Sequence, residues 1–239
     1  MATTVVALPL ILGIAACGGD QRAQPVAQLD QATLLPAMKE AFAQQRTWRV
    51  DGKMTAGGDT VLTMNGVQQA EPPALSMEMS GSAVGDDKAK VIVTGGRLYL
   101  QAKDVAPDGK YLAVELDDPA AGELGSLTDS SDPTKTFEVF DEALRKVEFV
   151  GTEAVSRRKL SRYAVTVDTT TAFEAQGKQV PAAAPKTITY DIWIDPSGLT
   201  RKMSFTVAYV TTELTMDDFN ESVSIEAPPA SKLASVKRG

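Results

Sequence analysis

Apolar and polar residues alternate along most of the chain, beginning at position 48. In TWRVDGKMT, Trp48, Val50 and Met54 take one face of the segment, while Arg49 and Lys53 take the other. A period of two residues places alternate side chains on opposite faces of a β-strand. The first such segment is therefore predicted to be a strand with one apolar face.

Five further segments repeat this alternation, and Gly, Pro or Asp residues stand between them. They are TVLTMNGVQQ, ALSMEMSGS, KAKVIVT, RLYLQA and KYLAVEL. Short alternating runs that are separated by turn residues are typical of hairpins. The first half of the chain is predicted to be an antiparallel meander of about six strands.

Two segments have helical spacing instead. Residues 33–46 carry apolar residues three and four positions apart, with Thr33 as the expected N-cap. Residues 134–146 show the same spacing, and the Asp-, Gly-, Ser- and Pro-rich residues 117–133 before them form a break. Residues 172–186 are compatible with a short helix or a long loop.

The alternation resumes in the second half of the chain. Its segments are VEFVGTEAV, LSRYAVTVD, TITYDIWID, LTRKMSFTVAYV, TTELTMDDFN and ESVSIEAPP. In LTRKMSFTVAYV, one face carries Leu199, Met203, Phe205, Val207 and Tyr209. We predict one α+β domain with about 10–11 antiparallel strands and two or three helices. A sheet of this size curls, and helices must cover its apolar face.

The composition removes several function classes. The 239 residues carry a net charge of −7 and contain no histidine and one cysteine. The acidic balance disfavours a nucleic-acid partner. Catalytic histidine, intramolecular disulfides and cysteine-rich zinc sites are excluded, and no cofactor or metal is expected. An enzyme with a Ser-Lys pair or paired carboxylates stays possible, although nothing in the sequence indicates one.

The single cysteine, Cys17, follows a short apolar N-terminal run. Residues 5–16 are apolar but too few to span a bilayer, which needs about 20 residues. Their length suits a signal peptide, predicted as residues 1–16, and Ile14-Ala15-Ala16-Cys17 resembles a bacterial lipobox. The alternatives are a small buried cysteine in a helix and a plain signal peptide with a chance cysteine. Because residues 1–4 lack Lys and Arg, we expect that the true start lies upstream or that the start codon is misassigned.

A lipobox implies that Cys17 carries a diacylglyceryl group and is the first mature residue. Two acyl chains, of which palmitate is a typical example, hold a protein stably on a membrane, whereas one chain does not. Residues 17–31 are then a flexible tether, since they have too little apolar surface to fold alone. The predicted location is the extracytoplasmic side of the cell membrane.

The last strands resemble a known family of lipoproteins. The segment YDIWIDPSGLTRKMSFTV, followed by Asp217-Asp218-Phe219-Asn220 and VSIEAPP, resembles the closing hairpin of the actinobacterial LppX/LprAFG lipoproteins. The segments VEFVGTEAV, RYAVTVD, GGRLYLQA and GKYLAV match the same order of elements. The resemblance implies a LolA-like fold, which is an incomplete, strongly curved antiparallel barrel with helices closing its concave face. It also implies a lipid or acylated glycolipid ligand between sheet and helices. The predicted domain spans residues 32–230, and residues 231–239 form a C-terminal tail.

An acyl-chain cavity needs adaptable apolar walls, and methionine suits that role. The candidate lining residues are Met54, Met64, Met77, Met79, Ile92, Leu100, Ile192, Trp193, Met203 and Phe205. For any single methionine, a dry core in which the side chain fills a gap is the simpler interpretation. Trp193 lies opposite Ile192 and Ile194 along its strand, which places it either under a helix or at the cavity mouth.

Three functions follow from these patterns, in decreasing order of support. The first is a membrane-anchored, monomeric protein that binds and transfers lipid. The second is a non-catalytic envelope sensor or scaffold with the same fold and a filled core. The third is an enzyme acting on envelope lipid or glycan. Residues 195–198 have the composition of a turn rather than of a metal or catalytic site.

Overall fold

The computed structural model describes residues 28–85, 88–103, 105–106, 109–116, 133–181 and 184–234. The predicted signal peptide, Cys17, most of the tether and nearly all of the predicted break lie outside these ranges. Among the described residues, no helix combines the length and apolar character needed to cross a membrane.

Eleven antiparallel strands form one sheet, in agreement with the predicted number. The strands are β1 (Thr47–Ala56), β2 (Asp59–Gln69), β3 (Ala74–Ser80), β4 (Lys88–Thr94), β5 (Arg97–Gln101), β6 (Leu112–Glu115), β7 (Leu144–Val155), β8 (Arg158–Asp168), β9 (Thr187–Ile194), β10 (Thr200–Val207) and β11 (Val210–Asp217).

The order of the strands joins the two halves of the chain. The sheet runs β6-β5-β4-β3-β2-β1-β11-β10-β9-β8-β7, so β1 and β11 pair at its centre. The edge strands β6 and β7 do not pair with each other, and the sheet stays open. The fold class is confirmed: a curved antiparallel sheet, or incomplete barrel, with helices closing its concave face.

Within the described ranges, the α-helices are α1 (Leu34–Ala43), α2 (Pro133–Ala143) and α3 (Thr169–Ala175). Thr33 is the N-cap residue of α1, as predicted, but its side chain does not bond to the first turn of the helix. Instead, Oδ1 of Asp30 accepts the backbone N–H of Ala32 and of Thr33, each at 3.0 Å. Residues 172–186 contain both of the predicted alternatives, because α3 ends within them and a connection leads on to β9. The Asp168 side chain caps α3 by accepting the backbone N–H of Thr171 at 2.9 Å.

Two strand predictions differ from the structure at the end of the chain. Tyr209 was placed within a strand, but β10 ends at Val207, and Ala208 and Tyr209 form a two-residue turn. Because the alternation of apolar and polar residues continues through this turn, the sequence pattern does not reveal the turn. ESVSIEAPP was also predicted as a strand, yet residues 221–229 join no strand ladder. Beyond them, Leu233 forms a parallel bridge with Tyr111.

On its central strands, the sheet carries charged side chains on one face and mainly apolar side chains on the other. The side facing the helices, here called the inner face, carries the residues in register with Ile192. Across β9, β10, β11, β1, β2 and β3 these include Ile192, Met203, Leu214, Gly52, Met64 and Met79. The outer face carries the charged residues of the same strands, such as Arg49, Lys53, Glu78, Asp191 and Lys202. Burial of the apolar face is the main force that folds such a sheet.

The core consists of two clusters. The larger one joins the helices to β8 and β9, and its buried members are Leu34, Leu35, Met38, Ala41, Phe42, Phe137, Ala143, Tyr163, Val165, Val167, Ile192, Ile194 and Leu199. The smaller one lies on β3, β4 and β5 and contains Leu75, Val91, Val93 and Leu98. The central strands lie between the two clusters.

Candidate functional site: an apolar groove on the inner face

The two ends of the sheet differ in how closely the inner face is covered. The packed end contains the turns at residues 95–96, 156–157 and 195–198. The open end contains the hairpin turns at residues 57–58 and 208–209. The strand register alone decides which turns lie at each end of the sheet.

On strands β1, β3 and β9, inner-face side chains are more buried near the packed end, whereas Leu62 and Thr212 on other strands are buried toward the open end. Along β1, Trp48 and Val50 are buried, whereas Met54 is half-buried. Along β3, Leu75 is buried and Met79 is half-buried. Strand β9 runs in the opposite direction and shows the reverse order, because Ile194 is buried at its end. The half-buried positions on these three strands form a candidate groove on the inner face.

Nine of the half-buried inner-face residues define the inner groove. They are Met54, Met64, Met77, Met79, Leu100, Tyr190, Met203, Phe205 and Leu214. Five of the nine are methionines, and none is charged. A thioether side chain has three rotatable bonds and adapts its shape to a neighbour. The groove is therefore an apolar surface without a fixed complementary shape.

Two glycines on the inner face shape the groove floor. A Cβ atom at Gly52 would stand 2.6 Å from Met64 Cε and 2.9 Å from Leu214 Cδ2. The absence of a side chain lets both groove residues lie across β1. At Gly66 the contact would be with backbone, at 2.8 Å from the carbonyl oxygen of Ser76. The absence of a side chain at Gly66 therefore lets β2 and β3 lie close together, while its absence at Gly52 makes room for two groove side chains.

Aromatic rings connect the helices to the groove wall. The rings of Phe140 and Tyr190 lie 5.1 Å apart, and those of Tyr190 and Phe205 lie 4.9 Å apart. Tilted rings at such separations attract each other. Burial raises the pKa of the Tyr190 phenol above its ordinary value, so this groove wall stays uncharged. The stack runs from helix α2 through β9 to β10 and fixes one side of the groove.

Seven of the ten candidate residues from the sequence lie in the inner groove, and Ile192 lies beside it under the helices. The remaining two, Ile92 and Trp193, lie on the outer face and are corrections to the prediction. Ile92 pairs with Ser76 and Tyr99, both outer-face residues. It is buried, like Tyr99, although it does not belong to the inner face.

Trp193 occupies neither of its two predicted positions. Its indole is held on the outer face between the Arg162 guanidinium at 5.0 Å and the Lys202 ammonium at 4.9 Å. Nε1 of Trp193 donates to Glu153 Oε2 at 2.9 Å. This hydrogen bond and the bond from Arg162 lower the pKa of Glu153. The tryptophan therefore anchors a charged outer surface through cation–π contacts.

Two groove residues, Tyr190 and Leu214, were missed by the sequence prediction. Both have a signal in the alternation, since Tyr190 is two positions from Ile192 and Leu214 pairs with Met203 across β10 and β11. Tyr190 could have been found from its own strand. Leu214 depended on the register between strands, which alternation does not specify.

A separate pocket of about 310 Å³ lies at the packed end. Leu29, α1, Tyr163 and the turn at residues 195–198 surround it, and no residue of the inner groove contributes to it. Oδ1 of Asp195 accepts the backbone N–H of Ser197 at 2.9 Å, which confirms the predicted turn. Among the described residues, no cluster of three or more His, Cys, Asp or Glu side chains could hold a metal ion.

No family model matches the sequence, and no curated protein matches it. Solved structures do match the fold. The lipoprotein LppX of Mycobacterium tuberculosis is 15% identical, and the match covers 81% of this chain and 98% of LppX with a TM-score of 0.57. LprF of Mycobacterium bovis is 13% identical, and the match covers 83% of this chain and 96% of LprF with a TM-score of 0.59. The open sheet with helices on its inner face is therefore the fold that LppX and LprF have.

Proposed function

We propose that this chain is a membrane-anchored, extracytoplasmic lipoprotein that binds lipid or acylated glycolipid in the inner groove and transfers it. The observation that carries the proposal is the set of half-buried, uncharged, methionine-rich side chains between the two core clusters. Apolar surface gains about 25 cal/mol per Å² when it leaves water. An acyl chain laid along the groove would provide that gain without requiring a hydrogen bond.

Few polar side chains lie on the inner face near the groove, and those present are hydrogen-bonded or buried. Gln68 accepts a hydrogen bond from Trp48 Nε1, and Thr212 is buried. Specific polar recognition of a ligand inside the groove would therefore be weak, which suits variable acyl chains. We place the polar head of the ligand at the open end, where it would stay in contact with water.

The anchor in this proposal is a diacylglyceryl group on Cys17. The apolar run before Cys17 and the polar residues after it support this assignment. LppX, which shares the fold, is a lipoprotein. An anchored carrier would meet its ligand at the membrane on which it is held.

We propose that the chain has no catalytic activity. Asp195 is the most enclosed carboxylate of a described ion pair, with 10% of its side chain exposed, and its oxygens are engaged by Ser197, Leu199 and Arg201. A carboxylate bound in this way is not positioned to exchange protons with a substrate. The fold and the groove together favour binding over chemistry.

The test compares substitutions on the two faces of one strand. In the full chain, Met77→Trp fills the groove, and Glu78→Trp places the same side chain on the outer face one residue away. The probe is phosphatidylglycerol with a pyrene-labelled acyl chain. We expect Met77→Trp to weaken probe binding at least several-fold because the groove loses volume, and Glu78→Trp to bind like the unchanged protein.

Thermal unfolding of both variants controls for misfolding, since Met77 and Glu78 lie on a strand that must stay paired. Equal probe binding by all three proteins would contradict the placement of the ligand in the groove. Native mass spectrometry of the chain purified from its own membranes provides a second measurement. A chain that never carries lipid and does not bind the probe would favour the envelope sensor or scaffold with a filled core.

A further inference from the structure

Tyr209 is the most exposed of the large hydrophobic side chains that the structure describes at the surface. Its side chain is 92% exposed at the turn between β10 and β11. The flanking residues Val207 and Val210 pair directly, so the turn contains Ala208 and Tyr209 alone. An exposed aromatic ring at the tip of a hairpin contributes nothing to the core, and its position needs another explanation.

The backbone of this turn makes the choice of residues more unusual. Ala208 has φ 47° and Tyr209 has φ 68°, which is the left-handed region. That conformation costs about 1–2 kcal/mol per residue for amino acids with a Cβ. Two-residue hairpin turns of this kind favour Asn and Gly. Neither folding nor turn geometry therefore selects Tyr at this position.

A second hairpin of the same geometry lies at the other end of the sheet. Ser156 and Arg157 form the β7–β8 turn with φ 47° and 67°. This turn is at the packed end, and its residues are polar and charged. The two turns have the same backbone and opposite chemistry, which indicates that the two ends of the sheet meet different environments.

Other exposed apolar residues lie on connections at the open end. Val105 is 42% exposed on the connection that leaves β5, and Val180 is 38% exposed on the connection that leads to β9. Residues 175–186 of the latter contain Lys178 and Lys186 but no carboxylate. Val150, on strand β7, is a further exposed apolar residue of this size away from the open end.

We infer that the open end rests on a lipid bilayer, with Tyr209 in the headgroup region and the mouth of the inner groove toward the lipid. This inference rests on the proposed function. Tyrosine favours the membrane interface because its ring is apolar and its hydroxyl is polar. Lysines beside Val180 reach anionic headgroups while their stems cover apolar surface. A lipid entering or leaving the groove would then avoid water.

The length of the N-terminal tether allows this orientation. Leu29 borders the pocket at the packed end, where its N–H donates to the Tyr163 hydroxyl at 3.2 Å. The residues between Cys17 and Leu29 span about 40 Å when extended. Strand β10, with eight residues, spans about 26 Å at the usual rise per residue. The tether can therefore reach from the packed end to the bilayer plane at the open end.

The first experiment places a fluorescent side chain at the same position of the two turns. Full chains with Tyr209→Trp or Arg157→Trp are bound to vesicles of phosphatidylcholine and phosphatidylglycerol whose acyl chains carry bromine near the headgroup. Trp48 and Trp193 are buried and give a constant background. We expect brominated lipid to reduce the emission of Tyr209→Trp well beyond that of the unchanged protein, and not to reduce that of Arg157→Trp further. Equal quenching of both variants would overturn the inference. The absence of added quenching in Tyr209→Trp would also overturn it and would point to a protein partner.

The second experiment separates this inference from the proposed function. Release of the pyrene-labelled phosphatidylglycerol from the chain to vesicles is timed for Tyr209→Asp and Arg157→Asp. We expect Tyr209→Asp to slow release several-fold while probe binding in detergent stays unchanged, and Arg157→Asp to leave both unchanged. Failure of the unchanged protein to bind the probe would overturn the proposed function. Normal binding with equal release rates for all three proteins would overturn the bilayer contact alone.

Discussion

Asp195 shows how a single residue with apparent catalytic potential can serve structure. Its Oδ2 accepts Nε of Arg201 at 2.7 Å, and the Arg201 guanidinium lies 4.6 Å from the ring centre of Phe219. The two side chains of the ion pair are 10% and 16% exposed. Loss of one partner leaves the other charge enclosed without full compensation. The pair therefore joins the β9–β10 turn to the segment after β11.

Replacing Asp195 with Asn is expected to destabilise the protein by about 3 kcal/mol at neutral pH. Burial raises the pKa of Asp195, but the hydrogen bonds from Ser197 and the charge of Arg201 outweigh burial and bring the pKa below its ordinary value. The charged carboxylate therefore contributes its full stabilisation above about pH 4. This contribution is lost as the pH falls through the lowered pKa, so the difference between Asp195→Asn and the unchanged protein should shrink in that range.

Urea unfolding, followed by tryptophan fluorescence at pH 7 and pH 3, measures both effects. Asp141→Asn is the matched control because the Lys39–Asp141 pair is 39% and 61% exposed. An exposed pair contributes at most about 1 kcal/mol. A cost for Asp195→Asn that does not exceed the cost for Asp141→Asn would contradict the structural role.

At the scale of the strands, alternation predicted most elements because it is a local property of the sequence. It could not decide which apolar residues face the helices, since apolar residues also lie on the outer face. Ile92 and Trp193 were misplaced for this reason, and each is buried there among outer-face neighbours. The turn at Tyr209 was missed because no Gly or Asn marks it.

The two inner-face glycines should respond differently to the same substitution. At Gly66 an added methyl group meets the backbone carbonyl of Ser76, which cannot move without shifting β3. We expect Gly66→Ala to destabilise the protein by about 1–3 kcal/mol. At Gly52 the methyl group meets the ends of the Met64 and Leu214 side chains, which can rotate away. Alanine also favours the strand by about 0.5–1 kcal/mol over glycine, so Gly52→Ala should have little net effect.

Chemical denaturation measures the free energy of unfolding of both variants and shows whether Gly66→Ala loses more stability than Gly52→Ala. Binding of the pyrene-labelled phosphatidylglycerol adds a functional measurement, because Gly52→Ala displaces Met64 within the groove. We expect weaker probe binding in that variant despite normal stability. Equal stability losses at both positions would show that the groove side chains are as rigid as the backbone.

At the scale of the whole molecule, the groove results from contacts that no local pattern contains. The pairing of β1 with β11 brings Met54 beside Thr212 and joins the two meanders at the centre of the sheet. The helices cover β8, β9 and the start of β1, and they leave Met54, Met64 and Met203 half-buried on the inner face of the central strands. A methionine-rich apolar surface could be predicted from the methionines on the strands, but its extent and its open end depend on which strands the helices cover.

The proposed orientation on the bilayer rests on the proposed anchor at Cys17, which leads to a prediction for the whole chain. Cys17→Ser removes the thiol that would accept the diacylglyceryl group, and Gly18→Ser is the matched control because it changes the next residue and keeps the thiol. Cells are fed an alkyne-labelled palmitate, and the protein is then separated by detergent phase partition. We expect the unchanged protein and Gly18→Ser to be labelled and to enter the detergent phase, since two acyl chains hold a protein stably in lipid.

Cys17→Ser should carry no label and leave the detergent phase once its apolar N-terminus is removed. Labelling that persists in Cys17→Ser would place the lipid elsewhere on the chain, and the tether that brings the open end to the bilayer would then have to begin at another residue.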